Sequence, residues 1–303
     1  AASVAAAGGL HRFMGVGDPG LHLLTDSGGY QVFSLSPRVD DDGVTFRSTY
    51  DGDEHRLTPE GAVAVQRDLG ADIQMVLDVC PPLPSSPGVL RTAVERTAAW
   101  AARARSAHER LPLASPQALF GIVQGGVDPV LRAESAERTV AIGFDGYGIG
   151  GLSVGEPRHE MLPALAAALG HLPGDQPRYL MGVGDPRGII ESVALGVDLF
   201  DSVLPTRLGR HGTVLTHQGR LNLRNRAFAT DDAPLDPDCG CGVCTRYSRR
   251  YLRHLLSVGE PTCRRLVTLH NVYWVLELVA ELRQSLLNGT FEEIRRARSA
   301  PWA

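Results

Sequence analysis

With 303 residues, 43% hydrophobic and 21% charged, the chain has the composition of a folded globular protein large enough for one sizeable α/β domain with an appendage. No apolar run approaches the ~18 residues of a membrane-spanning helix, so a helical membrane protein is excluded. A formal net charge of −4 excludes a uniformly basic nucleic-acid binder, but all 30 basic residues are Arg and they are unevenly spread. From Asp201 to Arg265 there are 11 Arg against 6 acids, a basic segment on an acidic body. That distribution reads as a localised anion-binding face.

In chain order, the Ala-rich opening carries no basic flank and is too short for a secretion signal. From Leu21 onward a unit repeats: an apolar strand, a Gly- or Pro-bearing turn, then a helical stretch. Strands are predicted at 21–25, 73–77, 119–123, 146–149, 179–183 and 197–200, and helices at 59–69, 88–110, 129–142, 160–169 and 186–195. Strand and helix alternating at this spacing point to a parallel sheet with right-handed crossovers. Nearly every strand runs into a polar or Gly-rich stretch. This favours a (β/α)8 TIM barrel over a doubly wound sheet, because a barrel assembles its chemistry from all its strand ends.

After Arg210 the texture changes. His217-Gln-Gly219 between two apolar stretches predicts a hairpin, followed by an acidic Pro-bearing loop, a cysteine cluster and a helical run at 247–256. A long helix at 266–287 places Leu269, Tyr273, Leu276, Ala280 and Leu287 on one stripe, read as core with a dimer contact as the alternative. The expected organisation is a barrel body over 1–210, a hairpin and zinc-binding subdomain over 211–270, and a C-terminal helix over 271–303 that packs back on the barrel.

Cys239-x-Cys241-x2-Cys244 followed by His270 offers three thiolates and an imidazole, the tetrahedral donor set of structural zinc. Clustered thiols of this kind suit a metal site in a reducing compartment, so a cytoplasmic location is expected. Cys80 and Cys263 fall outside the spacing and read as buried thiols. Predicted strand ends present Asp26 and Ser27, Asp78, Gln124, Gly150 with Gly151, and Asp201, the last followed closely by Arg207 and Arg210. Any one of these is compatible with a turn or a helix cap. Five in series indicate an active site, and two Arg beside a carboxylate suit a phosphate-bearing substrate. Met181-Gly-Val-Gly-Asp-Pro-Arg-Gly188 has the wrong spacing for a dinucleotide fingerprint.

The stretches DSGGYQVFSL, GIVQGG, GGLSVGE, YLMGVG and FDSVLPTR, with the Cys/Cys/Cys/His pattern, occur in this order between about Leu23 and Tyr273. In these the chain resembles the tRNA-guanine transglycosylases. The resemblance implies a (β/α)8 barrel with a zinc subdomain. It also implies exchange of the wobble guanine of GUN-anticodon tRNAs for a 7-deazaguanine base in queuosine biosynthesis. It makes Asp201 the nucleophile and Asp26 the acid/base. Asp78, Gln124, Gly150 and Gly151 would recognise the base edge, Tyr30 and Met181 would sandwich its rings, and Ser27 would line the same pocket. Arg207 and Arg210 would hold the anticodon loop, Zn2+ would be a structural cofactor, and a homodimer is expected.

Val154 resembles the bacterial members, which use 7-aminomethyl-7-deazaguanine. Departures are Val79 where bacterial members carry an acid, Asp185 where they often have Lys, and only 25 residues ahead of Asp26. The last predicts a barrel incomplete at its first strand. Two alternatives follow: a catalytically silent tRNA-binding subunit or truncated paralogue, and a DNA-directed 7-deazaguanine transglycosylase.

Overall fold

The computed structural model describes residues 1–18, 20–110 and 116–302. The chain divides into two compact units. The first comprises Ala1–Met181 with Leu195–Leu199, and the second Gly182–Ala194 with Phe200–Ala303.

The first unit opens with two short helices, α1 (Ala2–Ala6) and α2 (Leu10–Met14), before strand β1 (Leu24–Thr25) and helix α3 (Gly29–Phe33). A three-stranded antiparallel sheet follows, β2 (Arg38–Val39), β3 (Val44–Arg47) and β4 (Glu54–Leu57). Then strands and helices alternate: α4 (Pro59–Leu69), β5 (Ile73–Met75), α5 (Pro87–Arg110), β6 (Ala118–Val123), α6 (Pro129–Ile142), β7 (Gly146–Ile149), α7 (Arg158–Leu169) and β8 (Arg178–Leu180). After α8 (Pro186–Leu195) comes β9 (Leu199–Phe200), and the sheet order is β1-β5-β6-β7-β8-β9. The four registered pairs along it, which involve β1 and β5 to β8, are all parallel. Each strand therefore lies beside the next one in the chain, with no reversal of order. A doubly wound sheet must reverse at its switch point, so this six-stranded sheet is of barrel type, a partial (β/α) barrel.

The central strands are buried on both faces. All four residues of β7 and five of the six in β6 are inaccessible, which is why they read as continuous apolar runs rather than as alternations. Helix α4 begins at Thr58, whose side chain accepts the Gly61 amide, with Pro59 in the first turn. Helix α6 begins at Asp128, whose carboxylate accepts the Val130 and Leu131 amides. The antiparallel sheet and helices α1 to α3 escaped the sequence reading, because two- to five-residue elements are too short to show a period.

In the second unit, α9 (Leu204–Arg210) precedes a hairpin of β10 (Thr213–Thr216) and β11 (Gly219–Asn222). Helices α10 (Arg249–Ser257), α11 (Pro261–Asn288) and α12 (Phe291–Ser299) follow, and α8, all but its last residue, belongs to this unit as well. Gly209 of α9 lies so close to α11 that a Cβ there would stand 2.6 Å from Thr268 Oγ1 and 2.8 Å from its backbone nitrogen. Buried Asn271 ties the same elements together, donating to the Pro205 and Thr213 carbonyls at 3.0 Å and accepting the Leu215 amide at 2.9 Å.

The expected core stripe of α11 is wrong. Leu269, Tyr273, Leu276 and Leu287 are 51, 37, 63 and 66% exposed, whereas Val267, His270, Asn271, Trp274, Leu278 and Leu282 are buried. Both stripes have helical period. The polar partners of His270 and Asn271 decide between them, because those side chains must face the hairpin.

Candidate active site and metal centre

Four strand ends of the first unit build one polar cluster. Asp78, three residues beyond β5, is 7% exposed, and its Oδ2 accepts Gln124 Nε2 at 2.5 Å. Gln124 directly follows β6 and is fully buried, with its backbone nitrogen donating to Ser135 Oγ at 2.9 Å. Gly150 directly follows β7, and a Cβ on it would sit 2.8 Å from Gln124 Nε2 and 3.6 Å from Asp78 Oδ2. A Cβ on Gly151, at φ +64°, would run into Gln124 Oε1. Only glycine is compatible with such a left-handed backbone pressed against a buried amide.

Beyond β1, the Asp26 carboxylate accepts the Ser27 amide at 2.8 Å. Ser27 is buried, its Oγ accepts the Gly29 amide at 3.2 Å, and a Cβ at Gly29 would lie 3.3 Å from both Ser27 Oγ and Asp78 Oδ1. Asp26, Ser27, Asp78, Gln124, Gly150 and Gly151 are thus gathered within the first unit. Of the proposed ring-sandwiching pair, Tyr30 is exposed and Met181 half-buried; Met181 Sδ would be 3.3 Å from a Cβ at Gly148.

Burial, and then the neighbouring Asp26 carboxylate, push the Asp78 carboxyl up to about 7, against the pull of the Gln124 hydrogen bond. Gln124 Oε1 is buried and has no hydrogen-bond partner among the described residues. Buried polar atoms are nearly always satisfied, so this oxygen marks where a ligand or a water donates. The site therefore offers a poised carboxylate, an unmatched amide oxygen and bare glycine backbone. That set fits the edge of a nitrogen heterocycle.

Because the folded-state value of Asp78 lies above its ordinary one, the fold favours the protonated acid. That contribution is fully present below about pH 4 and is lost as pH rises to 7, an effect of roughly 4 kcal/mol. Asp78→Asn is therefore expected to melt several degrees above the unsubstituted protein at pH 8, with the gap closing by pH 4. Thermal scans across that range check it, and an unchanged gap would show that Asp78 is ionised in the fold.

Two residues of this cluster were missed from sequence. Cys80, read as a buried thiol without a role, is only partly buried; it neighbours Asp78, Gln124 and the Gly151 backbone, and burial raises it to about 12. Arg132, in the first turns of α6, is fully buried. Neither carries a local signal, since a lone Cys or an Arg on an amphipathic helix reads as packing or solvated surface.

In the second unit Asp201 follows β9 and is exposed, and its Oδ1 accepts the Gly182 amide at 2.7 Å. Arg207 and Arg210 lie exposed in the last turn of α9, and neither makes an ion pair among the described residues. The metal donors also converge here. His270 Nδ1 lies 3.7, 3.4 and 3.3 Å from the Sγ atoms of Cys239, Cys241 and Cys244. Tetrahedral Zn–S and Zn–N bonds require S···N separations of about 3.5 Å. His270 Nε2 donates to the Leu215 carbonyl at 2.8 Å, which leaves Nδ1 as the metal-facing nitrogen. This buried Cys3His group can hold a metal ion.

A parallel barrel-type sheet with acids and an amide at its strand ends in one unit, and a Cys3His group in the other, define a barrel enzyme with a metal-binding module. The family model described as queuine tRNA-ribosyltransferase matches residues 1–303. A queuine tRNA-ribosyltransferase of Desulforudis audaxviator is 52% identical over 95% of this chain and 77% of its own length. That of Moorella thermoacetica is 51% identical, over 95% and 76%, and that of Symbiobacterium thermophilum 49%, over 98% and 73%. The chain belongs to the queuine tRNA-ribosyltransferase family, and its function is that of a tRNA-guanine transglycosylase.

Proposed function

We propose that the chain exchanges the wobble guanine of GUN-anticodon tRNAs for 7-aminomethyl-7-deazaguanine through a covalent sugar–enzyme intermediate. The observation that carries this reading is the Asp78–Gln124–Gly150 cluster, whose hydrogen-bonding groups match a purine edge. The Asp201 carboxylate attacks the anomeric carbon as the N-glycosidic bond breaks, and guanine departs with a proton from Asp26. The incoming base then loses its ring N–H proton to Asp26 and displaces Asp201, so configuration is retained. The first displacement breaks a C–N bond and forms a C–O bond and the second does the reverse, so no redox or energy-carrying cofactor is called for. Ser27 lines the pocket, and Tyr30 and Met181 take the two ring faces. The target nucleotide must leave the anticodon stack, at a cost of about a few kcal/mol.

Arg207 and Arg210 are assigned to anticodon-loop phosphates. The Cys3His group is assigned to a structural Zn2+, which would cross-link the cysteine loop to α11 without touching substrate. We assign residues 211–270 as the zinc-binding module between a barrel body and the C-terminal helix. The exposed stripe Leu269, Tyr273 and Leu276 is assigned to a homodimer contact, and the protein to the cytoplasm. No helix among the described residues is long and apolar enough to cross a membrane.

The direct test is incorporation of labelled guanine into a GUN-anticodon tRNA, with the same sequence as DNA in parallel. Exchange on DNA alone would replace this reading with the DNA-directed one. tRNA binding without exchange would replace it with a silent subunit. A second expectation follows from Asp78. A purine edge donating two N–H groups needs the carboxylate, so affinity for the base should fall about tenfold per pH unit below 7. Calorimetric titration between pH 5.5 and 8 measures it, and a flat profile would remove Asp78 from base recognition.

A further inference from the structure

Arg132 is a fully buried cation for which no ion pair is formed among the described residues; the Glu156 carboxylate favours its charge only from beyond contact distance. Its guanidinium is instead spent on four backbone carbonyls. Nε donates to Gly126 at 2.7 Å, one terminal nitrogen to Val123 at 3.1 Å and Gly150 at 2.7 Å, and the other to Gly151 at 3.0 Å. Burial depresses its ordinary value to about 10, which still leaves it charged at neutral pH. Burying a guanidinium without a directly paired counter-ion is costly, and a methionine would fill much of the same space. The arrangement calls for a reason tied to the carbonyls themselves.

Those carbonyls belong to two adjacent strand ends. Val123 and Gly126 bracket Gln124, and Gly150 and Gly151 form the backbone that faces it. Gly126 and Gly151 both have left-handed φ, +58° and +64°, a conformation that turns their carbonyls out of the strand direction. In a trans peptide the N–H points opposite to the carbonyl of the same unit. Drawing the Gly150 oxygen onto Arg132 therefore turns the Gly151 N–H the other way, and drawing the Gly151 oxygen does the same to the Leu152 N–H. Gly151 itself is pressed between the Gln124 side chain and the Arg132 guanidinium, so an amide turned from Arg132 is turned toward the Asp78–Gln124 side of the loop.

We propose that Arg132 is a positioning residue that locks the Gly151 and Leu152 amides toward the base pocket as a paired donor for a carbonyl oxygen on the heterocycle. This rests on the reading that the Asp78–Gln124 cluster binds the base. Arg132 touches no substrate. It acts through the peptide planes, and the planar fork is what the role needs, because one ammonium cannot span four carbonyls on two loops.

The test compares guanine, which bears the carbonyl, with 2-aminopurine, which lacks it together with the adjoining ring N–H, in equilibrium binding to the full chain, and reads the change that substitution makes in the ratio of the two affinities. Arg132→Lys is expected to weaken guanine about 10- to 100-fold while leaving 2-aminopurine within about twofold, so that selectivity between them collapses. A purely structural role would weaken both bases together, or neither, and either result overturns the proposal. Gln124→Ala in the same assay separates the two levels: if it too leaves both affinities unchanged, the base-site reading itself fails. If it weakens binding while Arg132→Lys keeps full selectivity, only the positioning role falls. Should Arg132→Lys not fold, amide hydrogen exchange on the unsubstituted protein decides. Saturating guanine is expected to slow exchange at Gly151 and Leu152 at least about tenfold and 2-aminopurine is not, and equal behaviour toward the two bases would overturn the assignment.

Discussion

Asp201→Asn is expected to lower base exchange by about 10^4-fold or more while leaving tRNA affinity within a few-fold. The substitution keeps volume and the acceptor for the Gly182 amide, so the turn that carries the side chain is preserved. What disappears is an anionic oxygen able to bond to the anomeric carbon. A neutral amide is a poor nucleophile, and its loss removes both displacements at once, since the second is the reverse of the first with another base. Exchange is measured with labelled guanine, and the intermediate as a tRNA–protein adduct that survives denaturing electrophoresis. Residual exchange within tenfold of the unsubstituted enzyme, or an adduct formed by the variant, would assign the nucleophile to another residue. Asp26→Asn should behave differently. It removes proton transfer rather than bond formation, and the effect expected is nearer 10^2- to 10^4-fold, with pH dependence on the base-departure step.

The second large effect concerns the metal centre. Cys241→Ala is expected to yield a chain without bound zinc whose second unit is unfolded near 25 °C. One core cluster of that unit consists of Val214, Leu223, Leu235, Val243, Leu252 and Val267 together with Cys239, Cys241 and Cys263. It is small, and three of its nine members are thiols. The donor set joins the loop at 239–244 to α11, which in turn holds the hairpin through the His270–Leu215 and Asn271–Leu215 hydrogen bonds. Binding of structural zinc is worth on the order of 10 kcal/mol, comparable to the whole stability of a typical domain, so its loss cannot be absorbed locally. Metal analysis should give one zinc per chain, and a strong chelator should lower the melting temperature of the unsubstituted protein by tens of degrees while leaving Cys241→Ala unaffected. A chain that binds no zinc yet melts unchanged would show that the cluster holds without metal.

Much of this molecule was legible in the sequence because its signals are local. Helices 59–69, 129–142 and 186–195 are found at those limits, and the strand at 146–149 likewise. Each has a Gly or Pro at or near its ends, and the three helices carry an apolar pattern long enough to show a period. Strand limits elsewhere moved: residues 21–25 contract to Leu24–Thr25, and 197–200 to Leu199–Phe200. Asp198 is one reason, since its carboxylate accepts the Arg178 amide at 2.9 Å and so substitutes a side chain for a ladder bond. Pro205 lies beyond the strand and in the first turn of α9, where a missing N–H costs nothing.

The sequence by itself determined the alternation that builds a parallel sheet, the polar residues at its strand ends and the four metal donors. Each of these is written in a few neighbouring residues whose chemistry does not depend on what packs against them. Tertiary structure alone decided that Asp78 titrates near neutrality, because its burial and the nearness of Asp26 arise from strands 50 or so residues apart. It also decided which stripe of α11 faces inward and that Arg132 grips carbonyls instead of solvent. Burial and hydrogen-bond partnership are set by segments remote in the chain, and a local pattern that fits two environments equally well cannot choose between them.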